Sequence, residues 1–311
     1  MRKQRTQKET WLLGIGFILF WNSGFIGAEY VLPYTKPLTL LFWRYCLLAL
    51  LLLVYLVVRG RLEWPGMAAA SVSALVGVLA HGVWLGCVFY SLQYGVPAGI
   101  VALVVALQPL VTGAFSGLIV GERTSFLGWL GLLTGFCGVL VAVLARTDLS
   151  DAESLIAFFV PFGSVVAITG ASLIQRRMEV NRGRHRLALD LGLFYQSVGV
   201  VLVTGIPAYI VEGLVMEWTP VSIGGMCWLV VGVSLVAYAL MWTLIGRIDA
   251  TRVASLFYFG PPVTMVMAWI AFGDPILITD LAGLAIVVVG VFLTQHPGWG
   301  KRTSRGGGST P

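Results

Sequence analysis

Charge is what this chain has least of. Of its 311 residues only 20 are Lys or Arg and 14 are Asp or Glu, 11% in all, against about 25% in an ordinary globular chain. Apolar residues make up 58% and the mean hydropathy is +0.90. So little polar surface cannot cover a water-soluble globule of this size, which leaves a bilayer as the solvent. Cysteine is scarce too. Cys46, Cys87, Cys137 and Cys227 all lie in apolar stretches without CxxC or Cys/His spacing, which excludes a disulfide framework and a zinc centre.

No polar stretch is long enough for a soluble domain. The net charge of +6 and the pI near 9.3 come from short basic clusters between apolar runs, so nucleic acid is not an expected partner. Arg2, Lys3, Arg5 and Lys8 precede an apolar run from Trp11 in the manner of a secretory signal. No small-residue cleavage site follows, so the segment reads as a retained first helix.

What is present is a series of apolar runs of membrane-crossing length, about 20 residues for a core of about 30 Å. They cover 11–28, 35–58, 67–92, 96–120, 125–145, 154–175, 187–211, 220–246, 250–272 and 277–295. The fold class is therefore an all-α integral membrane protein with ten transmembrane helices. Turn residues such as Leu32-Pro33-Tyr34, Gly95-Val96-Pro97 and Gly273-Asp274-Pro275 separate the runs. The longest polar loop, Arg176 to Arg186, lies between the sixth and seventh runs, and the division into five and five falls at 146–153.

With these spans, 17 of the 20 Lys and Arg residues fall on one side, Lys36 and Arg146 on the other, and Arg44 within a span. The basic side is cytoplasmic, which puts both termini inside. The chain also matches itself at an offset of 152: 102–142 lies over 254–294, pairing Pro109 with Pro261, Gly131 with Gly283, Gly138 with Gly290 and Glu122 with Asp274. Each copy contains five helices, an odd number, so the two halves enter the membrane from opposite sides. The halves are 11–145 and 154–295, with cytoplasmic tails at 1–10 and 296–311. Exchanging the conformations of two inverted halves interconverts outward-open and inward-open states, the device of a secondary transporter.

Several motifs then carry a resemblance: Trp21-Asn22-Ser23 in the first helix, Ala98 to Gln108 leading to Pro109, Gly121-Glu122-Arg123, and Pro261 to Gly290 in the second copy. On these the chain resembles the ten-helix, EamA-repeat exporters of the drug/metabolite transporter superfamily, and within it is similar to YddG-type exporters of aromatic and other amino acids. The resemblance implies a bacterial inner (plasma) membrane location and no cofactor. It also implies a central cavity lined mainly by helices 1, 3, 4, 6, 8 and 9, and export of substrate from the cytoplasm. Gly273-Asp274-Pro275 departs from the family's Gly-Glu in the second copy.

Ionisable groups inside a membrane are costly and usually functional. Here the spans hold Arg44 and His81, with Asp190 and Asp280 near helix ends. Without a mid-membrane carboxylate, transport is expected to be facilitative or exchange-driven, with His81 as the one central proton carrier. Arg44 reads as a structural brace. The expected substrate-binding residues are Trp21, His81, Trp84, Gln108, Tyr238, Trp242 and Tyr258, with Tyr195 and Gln196 as weaker candidates. Rings with a few amide and hydroxyl groups suit amphipathic solutes such as amino acids. Pro109, Pro261 and Pro262, near the middle of equivalent spans, are expected hinges because each removes a helical donor. Glu122 is a helix-start carboxylate or a cytoplasmic gate.

No GxSxG, HExxH or aspartate-rich phosphate cluster is present, and His185 and His296 lie at cytoplasmic edges, so an enzyme is not expected. Drug-like or nucleotide-sugar export, a membrane-embedded enzyme and a scaffold remain as alternatives. Gly128, Gly131, Gly135 and Gly138 form a small-residue face that fits packing in a monomer as well as in a homodimer.

Overall fold

In hydrocarbon every backbone N–H and C=O must pair within the protein, and a helix does this inside a single segment. The computed structural model describes residues 2–115, 126–147, 150–180, 187–245, 247 and 256–295. Among these there is no strand, only an isolated bridge between Thr35 and Met216. The helices are α1 (Arg2–Val31), α2 (Pro37–Val58), α3 (Met67–Gln93), α4 (Ala98–Val105), α5 (Gln108–Phe115), α6 (Phe126–Leu144), α7 (Ala152–Val180), α8 (Leu189–Glu212), α9 (220–245), α10 (Gly260–Phe272) and α11 (Ile278–Gln295). Seven described segments are long and apolar enough to cross a membrane, and Ala98–Thr112, Phe257–Phe272 and Ile278–Leu293 are shorter apolar helices.

Two departures from the expected spans have local causes. The span expected at 96–120 is broken into α4 and α5, and the Leu107 N–H turns back onto the Val104 carbonyl at 3.0 Å between them. Pro109 has no N–H for the carbonyl four residues earlier, so the helix restarts with the proline in its first turn. Likewise a 3-10 turn, Phe257–Phe259, leads into α10, whose first turn holds Pro261 and Pro262. These prolines thus begin helices where mid-helix positions were expected. The second departure is a wide, π-helical turn inside each of two long helices, Val78–Val83 in α3 and Trp228–Ala237 in α9. Such turns widen the helix and often mark functional positions.

Helix α6 packs along α11 with backbones almost touching. A Cβ on Gly138 would lie 2.7 Å from the Gly283 carbonyl oxygen, and one on Gly290 would lie 2.6 Å from that of Gly131. The contact runs up one helix as it runs down the other, so the pair is antiparallel. Only glycine permits this approach. Helices α3 and α8 meet as closely at Gly199, whose Cβ would be 2.7 Å from the Ala74 carbonyl oxygen.

At the arginine-poor face, Glu212 at the end of α8 caps α2. Its carboxylate accepts from the Leu38 and Thr39 N–H groups at 3.2 and 2.7 Å and from the Thr39 hydroxyl at 2.8 Å. There also Arg146, just past α6, forms a two-pronged pair with Asp280 of α11 at 3.0 and 2.5 Å and donates to the Pro275 carbonyl at 2.6 Å. At the opposite face Arg61 pairs with Asp190 at 2.8 Å.

Candidate functional site

A small cavity lies between α1, α2, α3 and α9. Its wall includes Trp21 and Phe25, Arg44 and Tyr45, His81, Trp84 and Phe89, and Val233 and Tyr238. Its volume is about 30 Å³, room for roughly one water, so the site is closed in this conformation and a solute enters only when the helices part.

The wall is built from rings. Trp21 stacks near Trp84 with centroids 6.4 Å apart and planes at 26°, and contacts Tyr238 at 5.3 Å. Phe17 and Phe257 hold the Trp21 ring from behind at 5.6 and 5.2 Å. The His81 ring lies between Tyr45 at 5.4 Å and Tyr238 at 6.1 Å. Trp84 follows directly on the π-helical turn that carries His81, its backbone N–H donating to the Leu79 carbonyl. Local helix geometry therefore aims both side chains inward.

The polar members come from opposing helices. His81 Nε2 lies 3.0 Å from Gln196 Oε1 on α8. Arg44, only 4% exposed, donates from Nε and Nη2 to the Ser234 hydroxyl at 3.3 and 3.0 Å. Ser234 in turn donates to the Leu229 carbonyl at 3.0 Å within the wide turn of α9. The Trp84 indole N–H is buried without a hydrogen-bond partner.

Of the expected binding residues, the cavity brings together Trp21, His81, Trp84 and Tyr238. Gln108 lies elsewhere: its amide donates to Thr112 and Ser172 at 3.3 and 3.5 Å, in a polar row between α5 and α7. Tyr258 packs against the main apolar core and is not in the cavity wall. Tyr195 sits near the arginine-rich face, its hydroxyl donating to the Glu63 carbonyl at 3.3 Å. The Trp242 side chain and all of Glu122 lie outside the described residues. Helix α2 supplies Arg44 and Tyr45, although the second helix was not expected to line the cavity, and Arg44 is in the wall as well as bracing Ser234. The Trp21-Asn22-Ser23 motif fans out. Trp21 faces the cavity, Asn22 accepts from Thr264 at 3.2 Å, and Ser23 accepts from the Trp228 indole at 2.9 Å.

With this geometry in place, comparison with known proteins is informative. Residues 9–144 match the EamA-like transporter family. The match covers the first half of the repeat architecture, and the curated relatives that align with nearly the whole chain are transporters too. It is 26% identical over 299 residues to the uncharacterized transporter YvbV of Bacillus subtilis, covering 94% of this chain and 93% of the relative. It is 26% identical over 292 residues to the uncharacterized inner membrane transporter YedA of Escherichia coli K12, covering 91% and 90%. A "probable amino-acid metabolite efflux pump" of Salmonella typhimurium is 20% identical over 301 residues, covering 94% and 97%. A crystal structure sharing 19% identity superposes with a TM-score of 0.62 over 93% of this chain and 97% of its own, so the fold is shared. These relatives are transporters, and the seven described membrane-length helices of this chain fit a membrane protein of the same kind.

A second polar cluster sits at the arginine-poor face, where Arg146, Asp274 and Asp280 surround a crevice with Pro97 and Met265. Asp274 lies in the loop between α10 and α11, with Oδ2 buried and unpartnered. Burial raises its carboxyl above the ordinary carboxylate range, and Arg146 pulls it partly back.

Proposed function

We propose that the chain exports amphipathic amino acids, aromatic and other neutral ones, across the inner (plasma) membrane by alternating access, without a coupled ion. The observation that carries this reading is the closed box of Trp21, Trp84 and Tyr238 around His81. Rings accept many side chains, and a few fixed polar groups orient the head of the solute. The relative named as a probable amino-acid metabolite efflux pump supports the same substrate class.

The transport cycle in this reading uses ten crossings, both termini in the cytoplasm, and two inverted halves. Support comes from helix starts that keep the offset of 152, Pro37 with Leu189 and Phe126 with Ile278, and from the reciprocal glycine contacts of α6 and α11. In an inverted pair these contacts form a pivot about which the two halves exchange shapes. The restarts before Pro109 and Pro261 supply hinges, since backbone hydrogen bonds are already interrupted there. Proton coupling through carboxylates has no path at mid-membrane: Asp190 and Asp280 are at helix ends, each with an arginine partner.

The test is uptake of labelled phenylalanine, tryptophan and threonine into proteoliposomes, with unlabelled solute inside and empty vesicles as control. Saturable flux without a pH gradient is expected. Exchange of a nucleotide-sugar with no amino-acid flux would overturn the substrate class.

A further inference from the structure

We propose that Arg44, together with the Trp84 indole N–H, forms a carboxylate-binding subsite in the central cavity, so that the transported solute is an aromatic or amphipathic monocarboxylate. This rests on the central cavity being the transport site. It goes further in naming the chemical group that the solute must carry.

The charge arrangement argues for it. Arg44 lies about 10 Å from the start of α2 at 1.5 Å per residue, inside the apolar span Pro37–Val58. A buried guanidinium in hydrocarbon is expensive unless an anion offsets it. Among the described residues Arg44 forms no ion pair, in contrast to Arg61, Arg146 and Arg247. Its hydrogen-bond partner is one hydroxyl, Ser234 Oγ, although a guanidinium carries five N–H donors in a fork shaped for a carboxylate. The Tyr45 ring, 5.7 Å from its Cζ, offers a cation–π contact but no negative charge.

The same cavity holds a second donor without a partner. Trp84 is only 8% exposed, and its indole nitrogen has no acceptor. A buried N–H left unpaired forfeits the hydrogen bond it would make to water. A carboxylate in the cavity satisfies both groups at once, while the solute's apolar body lies against Trp21 and Tyr238. Among the described residues no second fixed cation lines the cavity, which favours a monoanion over a phosphate dianion. Among the described residues no carboxylate lines it either, so a solute ammonium group finds no counter-charge there.

The experiment uses the purified full chain and two compounds made by deleting one group from phenylalanine: 3-phenylpropionate, without the amine, and phenethylamine, without the carboxylate. The neutral control is 3-phenylpropanamide, and binding is read from tryptophan fluorescence. The acid is expected to bind about 10-fold or more tighter than its amide, since a charge-assisted hydrogen bond contributes about 1.5–3 kcal/mol. Arg44→Met removes the preference, and Arg44→Lys keeps part of it. Trp84→Phe weakens it. Equal binding of acid and amide by the wild-type chain, tighter binding of phenethylamine or of phenyl phosphate, or an acid preference surviving in Arg44→Met would overturn the proposal. If Arg44→Met does not fold, Arg44→Lys and Trp84→Phe decide it. Acid selectivity without amino-acid flux would sink the amino-acid reading alone, and amino-acid flux without acid selectivity would sink the subsite alone.

Discussion

Arg44 and Gln196 stand 152 residues apart in the chain and reach from α2 and α8 to opposite π-helical turns around one cavity. Arg44 donates to Ser234 in the wide turn of α9, and Gln196 meets His81 in the wide turn of α3. The two contacts are counterparts, but one copy carries a cation and the other a neutral amide. The cavity is thus polarised although its surroundings repeat.

Trp21 is the ring most shared within the site, touching Phe17, Trp84, Tyr238 and Phe257. Trp21→Ala is expected to reduce aromatic amino-acid transport about 10-fold or more, since an aromatic pair contributes about 0.5–1.5 kcal/mol beyond burial and several are lost together. Threonine flux should fall less. Initial rates in proteoliposomes at matched protein density check this.

Among the described residues His81 is the one imidazole in the cavity wall. With no carboxylate relay at mid-membrane, collapsing the pH gradient should leave the initial rate of amino-acid exchange unchanged, and His81→Asn should retain exchange while altering KM. A flux that vanishes on adding a protonophore would remove the facilitative mechanism.

The α6–α11 contact has no room for a side chain. Gly138→Leu would press a Cβ to 2.7 Å from the Gly283 carbonyl oxygen and 2.9 Å from the Val287 nitrogen. Neither backbone atom can yield cheaply, so a loss of at least about 1–3 kcal/mol is expected, seen as reduced monodisperse yield and a lower melting temperature in detergent. Gly224→Ala, with nothing within 4 Å, should be neutral in the same assay.

Arg146 and Asp280 form a nearly buried pair, their side chains 11% and 1% exposed. Removing one partner strands the other, so Asp280→Leu or Arg146→Leu alone should cost about 3–5 kcal/mol. The double variant should recover much of the loss. Thermal melts of the four proteins form the cycle, and additive losses would show the two groups to be independent.

Asp274 makes stability depend on pH with a definite sign. Its folded-state pKa is raised, chiefly by burial, so the folded protein holds a proton that the unfolded chain releases. Stability therefore falls as pH rises from the unfolded value of 3.8 through the higher folded value, and the cost is full above it. Asp274→Asn should raise the melting temperature at pH 7.5, flatten the rise seen on acidification, and change little at pH 4.

Much of the fold is legible in one dimension. Membrane residence follows from composition alone, because 11% charge leaves too little polar surface for water. Helix positions follow from run length, and the breaks before Pro109 and Pro261 follow from the missing N–H, although the prolines proved to start helices instead of bending them. The small face of Gly131, Gly135 and Gly138 is visible in the sequence, and so is its counterpart at Gly283 and Gly290.

Which side chains meet was decided by the tertiary structure. In a helix apolar all round, no polar stripe marks the face that turns inward, so the rotation of each helix is set by packing partners far away in sequence. Arg44 read as a brace because its depth is visible but its facing is not. Packing turned it into the cavity wall, against a serine 190 residues away. Gln108 read as a site residue because it precedes a proline, yet packing turned it toward α7. The wide turns of α3 and α9 have no reliable signature in the residues themselves. The chain thus fixes by local chemistry that it lies in a membrane and where its helices run, and long-range packing fixes which few polar groups share its centre.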